Sequence, residues 1–223
     1  MTEQSLAKDR SKGPVTGLLQ RPAGAFALYV LAHGAGADMR HRFMQAMADQ
    51  LAAADVATLR FNFPYTEQRR RAPDPQPVLE AYVRSVCADA QRLAPDLPLF
   101  AGGKSMGGRM TSNACAREPI PGVRGLVFLG FPLHAAKQPS RIRAEHLSRV
   151  TAPMLFLQGT RDDLADLSLM REVAAELGAR ATLTELEGAN HSFEVKKSSG
   201  RTNEDVQSAL AAAIASWMRA ALG

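Results

Sequence analysis

Six stretches of this chain read as strands, and the most apolar of them leave neither face to water. Residues 26–32, 56–63, 97–101, 125–131, 154–158 and 181–186 are apolar and β-prone, and helix-like patterns separate most of them. A strand wetted on one side alternates apolar and polar residues. FALYVLA and GLVFLGF instead run on almost without interruption, as strands do when helices cover both faces of a parallel sheet. The sequence therefore predicts an α/β fold: a doubly wound, mostly parallel sheet of about six to eight strands with helices on both faces.

The intervening helices carry apolar stripes at helical spacing: Phe43, Met47 and Leu51; Val78, Tyr82, Val86, Ala90 and Leu93; Val206, Leu210, Ile214 and Trp217. These stripes are packing surfaces. Asn203 is the expected N-cap of the last helix, with Glu204 and Asp205 in the first turn where the helix dipole favours acids. A length of 223 residues suits one core, so residues 14–223 are read as a single domain and residues 1–13 as a mobile N-terminal tail. Two Pro-dense segments interrupt the alternation, at 71–77 and between 131 and 153. The second is long for a plain connection and is a candidate cover for the site.

Composition excludes several function classes. No window approaches the roughly 18 uninterrupted apolar residues of a membrane span, and the polar start MTEQSLAKDRSKG lacks a secretory apolar region. The expectation is a cytoplasmic protein. Cys87 and Cys115 both fall in amphipathic helical patterns and are read as buried thiols. A net charge of +5 invites anionic partners, yet its densest cluster is only Arg69, Arg70 and Arg71, with no interleaved aromatics. Nucleic acid is not expected as a partner.

The chemistry-bearing feature is GGKSMGG. Residues 97–104 read as strand running into this turn, and 109–117 as helix, so Gly103-Lys104-Ser105-Met106-Gly107 sits in a strand, sharp turn, helix context. The string alone arises by chance in about one chain in ten of this length. Its glycines have a steric purpose, because a tight elbow that strains the serine and brings helix close to strand leaves no room for Cβ. Ser105 then projects at the carboxyl edge of the sheet, where open α/β sheets bind ligands.

A serine hydroxyl needs a base, and the base needs an acid to hold its tautomer. FLQGTRDD places a carboxylate just past a strand, and Asp162 is the assigned acid, with Asp163 and Asp166 as alternatives; Asp163 suits the cap of a following helix. GANHSF places His191, the assigned base, beyond the last strand. Serine, acid and histidine, each after a successive strand, follow the order this chemistry requires. LAHGAGADM follows the first predicted strand with small residues where backbone must approach substrate, so the Ala35 and Met106 N–H groups are the expected oxyanion hole. The His33 side chain reads mainly as a structural hydrogen bonder.

With LAHGAGADM, GGKSMGG, FLQGTRDD and GANHSF in place, the chain resembles the dienelactone-hydrolase-like division of the α/β hydrolases, particularly its small bacterial serine members. GFPLHAAKQPSRIRAEHL adds a likeness to a branch shared with testis-expressed and chromatin-complex proteins of animals. The resemblance implies the α/β-hydrolase fold with a small or absent lid. Dienelactone hydrolase uses cysteine where this chain has Ser105, so its substrate does not carry over. The segment 131–147 looks like a signature of the branch near the site, in which His134, Arg143 and His146 either bind an acidic substrate group or fasten the loop. His33, Lys104, His134 and Arg143 are the candidate substrate contacts. No histidine pair has a zinc-enzyme spacing, so neither a metal nor a cofactor is expected. The leading expectation is a serine esterase acting on a small-molecule ester or acyl substrate, with short acyl chains preferred. The alternative is a hydrolase-fold binding or scaffold protein, which labelling of Ser105 by a fluorophosphonate distinguishes.

Overall fold

The computed structural model describes residues 1–7 and 10–223. Among them, eight strands form one sheet: β1 (Thr2–Leu6), β2 (Val15–Gln20), β3 (Ala27–Ala32), β4 (Val56–Phe61), β5 (Leu99–Lys104), β6 (Val123–Leu129), β7 (Met154–Gly159) and β8 (Ala181–Leu186). Their order is β1-β2-β4-β3-β5-β6-β7-β8. β1 and β2 are antiparallel to their neighbours, and every pairing from β4 through β8 is parallel. This is the predicted doubly wound sheet. The six apolar runs are β3 to β8, with ends shifted by a few residues.

The α-helices are α1 (Arg42–Ala53), α2 (Pro64–Glu67), α3 (Gln76–Leu93), α4 (Met106–Arg117), α5 (Leu167–Leu177) and α6 (Asn203–Leu222), with a 3-10 helix at Ile142–Arg149. Strand β3 shows why its sequence does not alternate. Leu28, Val30 and Ala32 point into one apolar cluster with Val83 and Val86 of α3 and Met110 of α4. Tyr29 and Leu31 point into a second, with Met47 and Leu51 of α1 and Leu210 and Ile214 of α6. Both faces are core, so both sets must be apolar.

Several expectations are corrected. Residues 2–6, expected in a mobile tail, form the edge strand: Thr2 pairs with Leu19 through to Leu6 with Val15. Leu6 is buried in the space left by Gly17, where a Cβ would lie 2.4 Å from Leu6 Cδ1. Backbone pairing and one anchoring leucine order a segment whose side chains are mostly polar. Residues 8 and 9 of the expected tail lie outside the described residues. The cap of α6 is Thr202, whose hydroxyl accepts from Asp205 N while Asp205 reaches back to Thr202 N. This reciprocal box outcompetes Asn203, whose side chain accepts from Val195 N instead. The cap of α5 is Asp166, with Asp163 left exposed.

The long connection after β6 folds against α4, where the His146 ring meets Ser112 Oγ at 2.7 Å. Cys87 and Cys115 are buried free thiols. Among the described residues no helix is long and apolar enough to cross a membrane.

Candidate active site

Ser105 stands between β5 and α4 with φ 50° and ψ −115°, a strained setting for a residue with a side chain. Two glycines enforce it. A Cβ on Gly103 (φ +153°) would lie 2.2 Å from Ala32 O, and one on Gly107 would lie 2.5 Å from Ala32 O and 2.6 Å from His33 O. The chain therefore turns at Ser105 in the narrow space left by β3, and the helix begins at Met106 rather than at the expected 109.

His191 follows β8 and Asp162 follows β7. The His191 ring lies 2.9 Å through Nε2 from Ser105 Oγ and 2.7 Å through Nδ1 from Asp162 Oδ2. With the Nδ1 proton directed at the carboxylate, Nε2 presents a lone pair to the serine hydroxyl. Asp162 is buried, and its other contacts fix it: Gln158 Nε2 donates to Oδ2 at 2.5 Å and Leu164 N donates to Oδ1 at 2.8 Å. Of the alternative acids, Asp163 is exposed, and Asp166 accepts from Ser168 N and Leu169 N at the start of α5. The histidine loop is held by Asn190 Oδ1, which accepts from Ser192 N and Glu194 N, and by Phe193 stacked on Phe43.

The HGAG turn lies directly over the nucleophile, since a Cβ on Gly34 would be 3.5 Å from both Lys104 O and Ser105 Cβ. Ala35, Ser105 and Met106 border one cleft. Met106 is the first residue of α4, so its N–H is among those a helix leaves without an intrahelical acceptor.

The other expected contacts divide. His33 is not a substrate contact: it is fully buried, its ring meets Gly34 O through Nδ1 at 2.8 Å, and Nε2 accepts from Phe63 N. Burial lowers its pKa to about 4. It holds the HGAG turn against the residues after β4. His134 is also occupied, with Nδ1 at Ala135 O and Nε2 accepting from Asp166 N at 2.8 Å. It ties the long connection to the loop carrying Asp162. Lys104 borders a cleft of about 200 Å³ with Ser105 and His191, and its ammonium lies 5.6 Å from the Phe193 ring centroid. Burial lowers its pKa to about 8. Arg143 donates to His134 O at 2.9 Å and borders a second cleft of about 360 Å³ that also opens at Ser105.

Two residues here were not singled out from sequence. Gln158 braces Asp162, and its signal is a polar side chain inside the apolar run MLFLQ. Arg109 borders the second cleft, and its signal is a cation in the first turns of α4, where the helix dipole opposes it. A larger hollow of about 620 Å³ lies at the amino ends of β5 and β6 and contains no triad residue. Among the described residues no three His, Cys, Asp or Glu side chains are grouped to hold a metal ion.

A family model described as "Alpha/beta hydrolase domain" matches residues 25–219. A protein of Mycobacterium tuberculosis, found in two strains and provisionally named a phosphoribosyl transferase, is 30% identical over 193 residues. That match covers 81% of this chain but only 40% of the relative, so the chain spans less than half the length of the relative. A dienelactone hydrolase of Anabaena variabilis superposes with a TM-score of 0.75 at 19% identity, over 98% of this chain and 97% of its own. An α/β serine hydrolase without lid from Xanthomonas campestris gives 0.74 at 20% identity, over 97% and 94%. At such identities the structural likeness establishes the fold.

Proposed function

The chain belongs to the alpha/beta hydrolase domain family, and on that premise we propose that it is a serine hydrolase that cleaves carboxylic esters through an acyl-enzyme on Ser105. The observation that carries the reading is the unbroken relay from Asp162 Oδ2 through His191 to Ser105 Oγ, at 2.7 and 2.9 Å, opening onto a cleft. His191 Nε2 takes the serine proton as Oγ attacks the ester carbonyl, and the buried Asp162 carboxylate stabilises the imidazolium that forms. The Ala35 and Met106 N–H groups receive the oxyanion. His191 then delivers its proton to the leaving alkoxide, and a water activated by the same nitrogen releases the acid.

The two clefts that open at Ser105, about 200 and 360 Å³, suit a small-molecule substrate with short substituents. The transferase name of the mycobacterial relative belongs to a protein more than twice the matched length, and the arrangement of Ser105, His191 and Asp162 supports an acyl-transfer reading.

A fluorophosphonate probe followed by intact mass tests the reading, together with initial rates on p-nitrophenyl esters of increasing chain length. The wild type is expected to take up one probe at Ser105 and to favour the short esters. Ser105→Ala is expected to do neither. An unlabelled wild type, or full esterase activity in Ser105→Ala, overturns the proposal.

A further inference from the structure

The second cleft at Ser105 carries a charge pattern that the proton relay does not use. Arg109 lies one helical turn beyond the nucleophile on α4, and Arg143 approaches from the 3-10 helix; both line the cleft. The Arg109 guanidinium has no hydrogen-bond acceptor or ion-pair partner among the described residues, and its Nε is buried. Arg143 spends one donor on the neutral carbonyl of His134. The nearby carboxylates pair with other cations. Glu80 binds Arg117 and Gln76, and Asp74, on the cleft wall, binds Arg70 and Lys12 through Oδ1, its Oδ2 being buried without a hydrogen-bond partner.

Burial first, and the neighbouring Arg143 cation second, lower the Arg109 pKa from its ordinary value, with the Glu80 carboxylate opposing them in part. Arg109, in the first turns of a twelve-residue helix, opposes the helix dipole, and Arg143, on the wall of the same cleft, repels it. An anion between them relieves both conflicts, because guanidinium groups match a carboxylate in geometry as well as charge.

The relay fixes which part of the substrate this anion belongs to. His191 protonates the departing alcohol, so the alcohol lies in the cleft that His191 borders, and the acyl group turns to the other. We infer that the Arg109–Arg143 cleft is an acyl-group subsite selecting esters whose acyl chain ends in a carboxylate, that is, half-esters of short dicarboxylic acids. The inference rests on the acyl-enzyme reading. Hydrolysis of such a half-ester consumes one water and releases the dicarboxylate, the alcohol and one proton. Residue 109 lies four positions from the nucleophile, roughly 6 Å along a helix axis, a reach suited to a short linker such as that of glutarate.

The test compares kcat/KM for monomethyl glutarate with that for its neutral counterpart, dimethyl glutarate, by acid release at constant pH. The wild type is expected to favour the monoester about tenfold or more, the worth of one charge-assisted hydrogen bond. Arg109→Gln is expected to abolish that preference, and Arg109→Lys to retain part of it. A wild type without the preference overturns the inference while leaving the esterase reading intact, as does an unchanged ratio in folded Arg109→Gln and Arg143→Gln proteins. If neither ester turns over, calorimetry with glutarate decides the subsite alone: saturable binding lost in Arg109→Gln supports it, and absence of binding to the wild type overturns it.

Discussion

Replacing Asp162 by asparagine is the sharpest test of the relay, because the structure shows how many donors this carboxylate serves. Oδ2 faces His191 Nδ1 at 2.7 Å and accepts from Gln158 Nε2 at 2.5 Å, while Oδ1 accepts from Leu164 N at 2.8 Å. An asparagine has one acceptor oxygen and one NH2. If the oxygen turns to Leu164, the NH2 confronts both other donors, and His191 must move its proton to Nε2, where it no longer accepts from Ser105. If the oxygen turns to His191 and Gln158, the NH2 confronts the Leu164 N–H, an unmade bond costing about 1–3 kcal/mol, and the charge that stabilises the imidazolium is gone. The expected loss in kcat is about 10⁴-fold, the scale of such a tautomer reversal, or about 5 kcal/mol of transition-state stabilisation. Initial rates on p-nitrophenyl acetate and the rate of fluorophosphonate labelling both read it. Asp163→Asn, at an exposed position, should stay within about twofold. Asp166→Asn should keep most of the cap and leave kcat in place, since asparagine caps nearly as well as aspartate. An Asp162→Asn enzyme within tenfold of the wild type, or an Asp166→Asn enzyme that falls as far, refutes the assignment.

Two further outcomes follow from packing and burial. Gly107→Ala forces a methyl to within 2.5 Å of Ala32 O and 2.6 Å of His33 O, so it should cost at least about 1–3 kcal/mol and misplace the elbow; wild-type melting and labelling would refute this. The His33 pKa falls from 6.5 in the unfolded chain to about 4 in the fold. Between those values the unfolded chain holds the extra proton, so stability present above pH 6.5 is lost as pH falls, by about 3 kcal/mol on reaching pH 4. His146, also lowered to about 4, acts in the same direction. Urea midpoints from pH 7 to 4.5 should therefore fall less steeply in His33→Asn than in the wild type, and an equal slope contradicts the account.

The sheet was legible because its central strands are buried on both faces, which leaves a mark in every residue of FALYVLA. The site was legible because Ser105, Asp162 and His191 follow successive strands, and chain order survives without coordinates. What escaped depends on partners distant in sequence. TEQSL becomes a strand only because the edge of β2 is available and Leu6 finds the space at Gly17. His33 and His134 looked like candidate substrate contacts until the fold showed both ring nitrogens of each engaged with backbone. Arg109 was hidden inside a predicted helix, where nothing local tells a cation facing solvent from one facing a cleft.

The placement of β5 has a kinetic consequence. It has bonded neighbours on both sides, β3 and β6, with further strands beyond each, so its amides should exchange with solvent only when the whole domain opens. His191, by contrast, hangs from β8, a terminal strand of the sheet held by β7 alone. The nucleophile thus follows a central strand of the sheet and its base a terminal one. Warming or mild denaturant should detach the base first, and turnover should fade while the elbow around Ser105 is still intact.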